Sequence, residues 1–156
     1  MEAGRLEREI KQGKRLILEA QVFLNLVRTA EALARGESDL LRSHGLSGPQ
    51  YNVLRILRGA RPDGLKCAEV ATRMVTRDPD VTRLLDRLQR AGHVSRSRSP
   101  EDRRVISVRI SSRGLALVDA LDAPLDDLLR RKLAHLPRPA LRRLNALLEQ
   151  ARAGTP

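Results

Sequence analysis

Aromatic residues are almost absent from this chain: Phe23 and Tyr51 stand with no Trp at all. A core without rings must be filled by Leu, Val, Ile and Ala. Leu- and Ala-rich stretches carrying many Arg residues favour helix over sheet, which excludes an all-β fold. Cysteine is scarcer still. Cys67 stands alone, so no intramolecular disulfide can form, as expected in a reducing compartment. No run approaches the roughly 20 apolar residues of a membrane span. Met1 to Arg15 are charged and lack the apolar centre of a secretory signal, so the expected location is the cytoplasm. There is no Gly-rich phosphate loop and no nucleophile–base motif, so no enzyme is expected. His44, His93 and His135 lie far apart and have no Cys or carboxylate pattern of a metal site. Neither a metal nor a cofactor is expected.

Acid is in deficit as well. Lys and Arg number 30 against 19 Asp and Glu, a net charge of +11. Such a surplus predicts attraction to polyanions, chiefly nucleic acid or an anionic membrane face. A genome rich in Arg codons would raise the same total, so the positions of the arginines have to decide.

The chain of 156 residues fits one domain, and that length closes a core without metals or disulfides. From Leu6 to about Ala34 the apolar residues recur at helical spacing (Ile10, Ile17, Leu18, Val22, Leu26, Val27, Leu33), an amphipathic helix with a broad buried face. A second helix is expected from Ser47 or Pro49 to about Gly59. Ser47 suits its cap and Pro49 its first turn, with Val53, Leu54, Ile56 and Leu57 inward. Arg61-Pro62-Asp63-Gly64 is a breaker cluster. A third helix follows from about Lys66 to Val75, with Val70, Ala71, Met74 and Val75 inward. Asp78-Pro79 then reads as a cap and a first-turn proline for a fourth helix. That helix buries Val81, Leu84, Leu85 and Leu88 and is stopped by Gly92. The period then changes to two: Val94 to Arg98 and Val105 to Ile110 form a β-hairpin around the polar turn Ser99 to Asp102. A fifth helix begins at Ser111 and is expected to kink or break at Pro124. A sixth runs from about Pro137 to Arg152, with Leu141, Leu144, Leu147 and Leu148 as its stripe.

Two short helices joined by a turn and followed by a two-stranded ribbon are the parts of a winged helix-turn-helix. The second helix of such a unit enters the major groove of DNA. On the fourth helix Asp80, Thr82, Arg83, Asp86, Arg87 and Arg90 lie outside the apolar stripe, and Arg83, Arg87 and Arg90 share one flank. The alternative is a solvated face with Arg83–Asp86 and Asp86–Arg90 ion pairs. The ribbon tips the balance. Arg96, Arg98, Arg103, Arg104 and Arg109 face only Glu101 and Asp102 there, and basic residues at a ribbon tip suit a narrow minor groove.

The string Leu46-Ser47-x-x-Gln50-Tyr51-x-Val53-Leu54, then Val70-Ala71, Val81-Thr82-Arg83-Leu84-Leu85-Asp86-Arg87-Leu88 and Gly92 resembles the MarR (multiple antibiotic resistance regulator) family. So does the wing run Asp102-Arg103-Arg104 through Ser111, although Ser111 stands where the family usually has Thr. The resemblance covers about residues 46–115. It implies a mainly α fold with a small β-hairpin wing: a winged helix-turn-helix lobe over residues 46–110, with dimerisation helices over 1–35 and 111–153. It further implies a homodimer on a pseudo-palindromic double-stranded operator, most often a repressor, with no membrane partner. In family terms Thr82, Arg83 and Arg87 face the major groove, where Arg pairs with guanine and Thr meets a thymine methyl or a phosphate. Asp80 either accepts from a cytosine amino group or opposes binding. Arg104 enters the minor groove, held by Asp102, with Arg96, Arg98 and Arg103 beside it. Family members commonly release DNA on binding a small aromatic or anionic effector, and Arg28, Tyr51 and Arg55 are the candidate cleft by fold analogy. Redox-sensing relatives carry their Cys in the first helix, which Cys67 does not match, so its expected role is a small buried residue. The competing function is a winged-helix adaptor whose basic face meets an acidic protein.

Overall fold

The computed structural model describes residues 5–11, 16–76, 80–98 and 106–154. Its elements run α1 (Arg5–Ile10), α2 (Leu18–Ser43), α3 (Gly48–Gly59), β1 (Leu65–Lys66), α4 (Cys67–Arg73), α5 (Val81–Arg90), β2 (Val94–Arg98), β3 (Ile106–Ile110), α6 (Ser112–Leu133) and α7 (Arg138–Ala153). The backbone falls into two compact units, residues 1–119 and 120–156.

The first unit is a winged lobe with a helical lead-in. α3 opens on a complete capping box: Ser47 Oγ accepts from Gln50 N at 3.3 Å and Gln50 Oε1 accepts from Ser47 N at 2.9 Å. That reciprocal pair satisfies two donors a helix start otherwise leaves open. Tyr51, Val53, Leu54 and Leu57 of α3 meet Val70 of α4, Leu84, Leu85 and Leu88 of α5, and Val94 and Val108 of the sheet in one buried core. The core is aliphatic apart from the Tyr51 ring, as the composition requires.

Two helices end on the same device. After α2, Gly45 N–H donates to Arg42 O and Leu46 N–H to Leu41 O, both at 3.0 Å. After α5, Gly92 N–H donates to Gln89 O and His93 N–H to Leu88 O, both at 2.9 Å. Gly45 and Gly92 have φ of 73° and 75°, the left-handed conformation that this closure needs and that glycine adopts without a Cβ penalty.

The sheet is three-stranded and antiparallel in the order β1-β3-β2, so the expected hairpin gains a third, two-residue strand. Val94 pairs with Ile110, Arg96 with Val108 and Arg98 with Ile106, which puts these six on one face. β1 is held at the other edge of β3, with Leu65 opposite Val108. The preceding loop is pinned there, because Asp63 O accepts from Arg109 Nε at 2.9 Å and from Ser107 Oγ at 3.4 Å. Gly64, at φ 80°, is forced: a Cβ would lie 2.4 Å from Val108 O.

Several expectations are corrected. The first apolar segment is two helices, since α1 ends at Ile10 and Lys11 after it has φ 50°, and α2 runs on to Ser43 rather than stopping near Ala34. Ile17 before it and Leu18, Val22, Phe23, Leu26 and Val27 along it are exposed. α4 stops at Arg73, so Val75 falls outside the helix and is 86% exposed instead of inward. α6 continues through Pro124 without a break. A proline removes one helical donor and crowds one carbonyl, and buried Val118, Leu121 and Leu125 on the same helix offset that loss. In the second unit Leu129, Leu144 and Leu147 are exposed, so the α7 stripe also lacks a cover.

Candidate nucleic-acid interface

α5 carries the residues expected to read DNA, and the structure shows how it is held. Asp80 is its cap: Oδ1 accepts from Arg83 N at 3.1 Å, and Oδ2 lies 2.9 Å from Arg83 Nε. The expected cap, Asp78, lies outside the described residues. An N-terminal carboxylate satisfies an open helical donor and complements the helix dipole. This accounts for the acid at the start of a basic helix without calling on a base contact. Leu84, Leu85 and Leu88 face the core, while Thr82, Arg83, Arg87 and Arg90 are exposed together. The Arg83–Asp86 and Asp86–Arg90 ion pairs of the solvated-face alternative are not among those formed. Arg83 turns back to Asp80, and Arg90 Nε donates weakly to the Asp86 carbonyl at 3.4 Å.

Asp86 is committed to the wing. Arg96 of β2 places one terminal nitrogen 2.6 Å from Asp86 Oδ1 and donates from the other to Thr82 O at 3.2 Å. The Arg96 side chain is only 20% exposed, and its Nε is buried with no partner among the described residues. Arg96 therefore departs from the wing cations with which the sequence groups it. Its guanidinium ties the first strand of the wing to two turns of α5 through one charge-assisted bond to a carboxylate and one bond to a backbone carbonyl, which together fix orientation as well as distance. Arg98, two residues on, is exposed at the end of β2. The remaining wing residues, Asp102, Arg103 and Arg104, lie outside the described residues.

The junction behind the helix is tight. His93 follows α5 directly, its carbonyl accepts from Ser111 N at 3.0 Å, and Ser111 Oγ donates to Gly92 O at 2.7 Å and accepts from Gly114 N at 3.0 Å. Ser111 thus does the capping work at the start of α6. A Cβ on Gly114 would lie 2.2 Å from His93 O, so this position admits only glycine. His93 Nδ1 is buried without a partner among the described residues. Burial first, and the Arg113 charge second, hold the His93 pKa below the ordinary histidine value.

The candidate effector residues separate. Tyr51 is buried under Arg55, whose guanidinium carbon sits 5.8 Å from the ring centroid, a cation–π distance. Arg28 instead pairs with Glu9 at 3.2 Å. A groove between α6 and α7 is lined by Leu129, Leu133, Leu136 and Leu141 and includes none of the three. Cys67 is the first residue of α4 and is partly buried. Among the described residues no cluster of His, Cys, Asp or Glu could hold a metal ion, and no helix is long and apolar enough to cross a membrane.

Sequence reasoning missed two contributors, the Asp63 loop and Asn52 of α3, whose Oδ1 accepts from Val75 N at 2.9 Å. Neither has a sequence signal, because each acts through a partner distant in the chain.

A helix pair, an exposed basic second helix and a sheet running into a ribbon define a winged helix-turn-helix protein. Residues 44–105 match the MarR family model. A solved MarR transcription factor from Planctomyces limnophilus is 37% identical, with 89% of this chain and 99% of that one aligned at a TM-score of 0.67. The chain belongs to the MarR family. It is also similar to the HTH-type transcriptional regulator TtmR of Methylorubrum extorquens (strain PA1), 33% identical over 105 residues, 67% of this chain. That match spans only 53% of TtmR. The HTH-type transcriptional repressor IacR of Pseudomonas putida is 28% identical over 127 residues, 81% of this chain and 75% of IacR.

Proposed function

We propose that this chain is a sequence-specific, double-stranded DNA-binding transcriptional regulator that acts as a homodimer on a pseudo-palindromic operator. The observation that carries the reading is α5 itself: Thr82, Arg83 and Arg87 exposed on a helix whose apolar side is locked in the core. Thr82, Arg83 and Arg87 read the major groove. The Arg83–Asp80 pair is no obstacle, since an exposed ion pair contributes little and its guanidinium can exchange the carboxylate for guanine or phosphate. Arg104 enters the minor groove, with Asp102 as its holder and Arg98 and Arg103 on the flanking phosphates. Residues 46–110 form the DNA-binding lobe and the outer helices the dimer.

Dimerisation is supported by the apolar faces left open on the protomer. Leu18, Val22 and Leu26 recur every fourth residue along α2, beside Phe23 and Val27, and α7 leaves Leu144 and Leu147 open. Apolar faces of this extent are characteristic of surfaces covered by a partner. The regulator is a repressor, as IacR is named, and a small effector that releases it fits the same family pattern. The relatives are named as regulators of transcription and not as enzymes.

Selection of preferred sites from random duplex DNA, followed by salt-dependent binding to the winner, tests this. A pseudo-palindrome with half-sites about one helical turn apart is expected, with affinity reduced in Arg104→Ala while dimer mass and helicity stay unchanged. No enriched motif, and affinity that collapses with salt for every sequence alike, would refute it and favour the acidic-partner adaptor.

A further inference from the structure

The chain leaves α4 without the closures that end α2 and α5. α4 has seven residues and passes through Met74 in an extended conformation, with one long backbone bond from Met74 N to Ala71 O at 3.4 Å. Packing does not hold the next residue either, because Val75 is almost fully exposed and Thr76 after it is exposed. The contact that fixes the chain here comes from another helix. Asn52 Oδ1, 23 positions earlier, accepts the Val75 N–H at 2.9 Å. Asn52 is itself well placed for this: Tyr51, Val53 and Leu54 around it are buried, and its helix opens on the Ser47 capping box. A side chain on a firmly seated helix thus grips a turn that has little else to define it among the described residues, five residues before the Asp80 cap of α5.

We propose that Asn52 is a positioning residue for operator reading: by holding the Val75 amide it sets the point from which the chain leads into α5, and so the seating of Thr82, Arg83 and Arg87 in the groove. This rests on the DNA-reading function proposed above. Asn52 itself touches no base. Because the bond is exposed to water, losing it perturbs the fold little. The effect falls on specific docking, where small misplacements of a reading helix cost bidentate contacts.

The test uses the full chain, as wild type, Asn52→Ala and Asn52→Asp, with two readouts. Amide hydrogen exchange reports on Val75, and binding is measured to the selected operator and to a random duplex. Asn52→Ala should open the Val75 amide while α3 and α5 amides stay protected. It should lower operator affinity about tenfold, the effect of weakening a base contact, and leave random-duplex affinity within about twofold. Asn52→Asp keeps the acceptor. Its added charge should weaken both duplexes alike, with the operator-to-random ratio and Val75 protection preserved. An unchanged ratio in Asn52→Ala would overturn the proposal, and so would loss of α3 protection, which marks a purely structural residue. Equal wild-type affinity for both duplexes would overturn the parent function and this role together.

Discussion

Cutting the tie between wing and helix should destabilise the protein unequally from its two ends. Arg96 is 20% exposed and Asp86 44% exposed, so the contact lies between the exposed pairs that contribute about 0.2–1 kcal/mol and the buried ones whose breakage costs about 3–5 kcal/mol. Arg96→Met keeps the packed stem and leaves behind a carboxylate that water can reach, at a cost of about 1 kcal/mol. Asp86→Ala leaves a mostly buried guanidinium whose Nε already lacks a partner among the described residues. It retains only the Thr82 carbonyl at 3.2 Å, so the cost rises to about 2 kcal/mol. The double variant should recover part of the loss, giving a coupling of about 1–1.5 kcal/mol. Urea unfolding of the four proteins measures this, run at several protein concentrations because the stability of the proposed dimer would depend on protomer concentration. The reasoning is refuted if Arg96→Met proves the costlier change, or if the coupling falls below about 0.5 kcal/mol, the usual scatter of independent sites. Operator binding gives a second check. Asp86→Ala removes a negative charge from the helix proposed to face DNA, which favours binding on charge alone, so reduced specific affinity in this variant would show that wing geometry outweighs charge.

Two further outcomes follow from local geometry. Gly64→Ala should lower stability by about 3 kcal/mol, because it combines a left-handed φ with a Cβ driven into Val108 O, whereas Gly45→Ala, with φ 73° and open space around it, should cost only about 1 kcal/mol; thermal melts followed by circular dichroism would rank them, and equal losses would contradict the contact. His93 should make stability depend on pH. Its folded pKa lies below its unfolded value, so its contribution is complete above about pH 6.5 and is lost as pH falls through the lowered folded value. His93→Gln should remove that part of the slope in melting temperature that appears as pH falls below about 6.5, and an identical slope would count against the partly desolvated neutral ring.

The elements legible in the sequence are those specified by neighbours within a turn or two. Ser47 and Gln50 announce the start of α3, Gly92 the end of α5, and the alternation from Ile106 to Ile110 the face of β3. Periodicity could not reveal β1, since two residues have no period and its place depends on the Asp63 carbonyl and the tail of Arg109. Asp78-Pro79 has the pattern of a cap followed by a first-turn proline, whereas the cap that α5 carries is Asp80, two residues on. An apolar stripe also says that a helix face is to be covered without saying by what. For α3 and α5 the cover is the lobe's own core, but for the start of α2 it is not present in the protomer. The candidate site follows the same division. Thr82, Arg83 and Arg87 are exposed as their helical phase requires, whereas Arg96 cannot be told from Arg98 until Asp86 is found beside it.

That distinction also explains how a modest set of carboxylates leaves the exposed face of α5 and the ribbon basic. Among the described residues of the lobe, Glu69 accepts from Lys66 N at the start of α4, Asp80 caps α5 and Asp86 holds Arg96. The first two accept from backbone N–H groups at helix starts, and the third is taken up by a guanidinium. Arg87 and Arg98 have no such acid facing them in the described structure, and they stand on the helix and on the ribbon. A cation without a local carboxylate keeps its full attraction for phosphate, whereas a paired one must first give up its partner. The positive charge of the lobe is therefore sorted by position: Arg96 is spent on holding helix and wing in register, and Arg87 and Arg98 remain available to a polyanion from the two elements so joined.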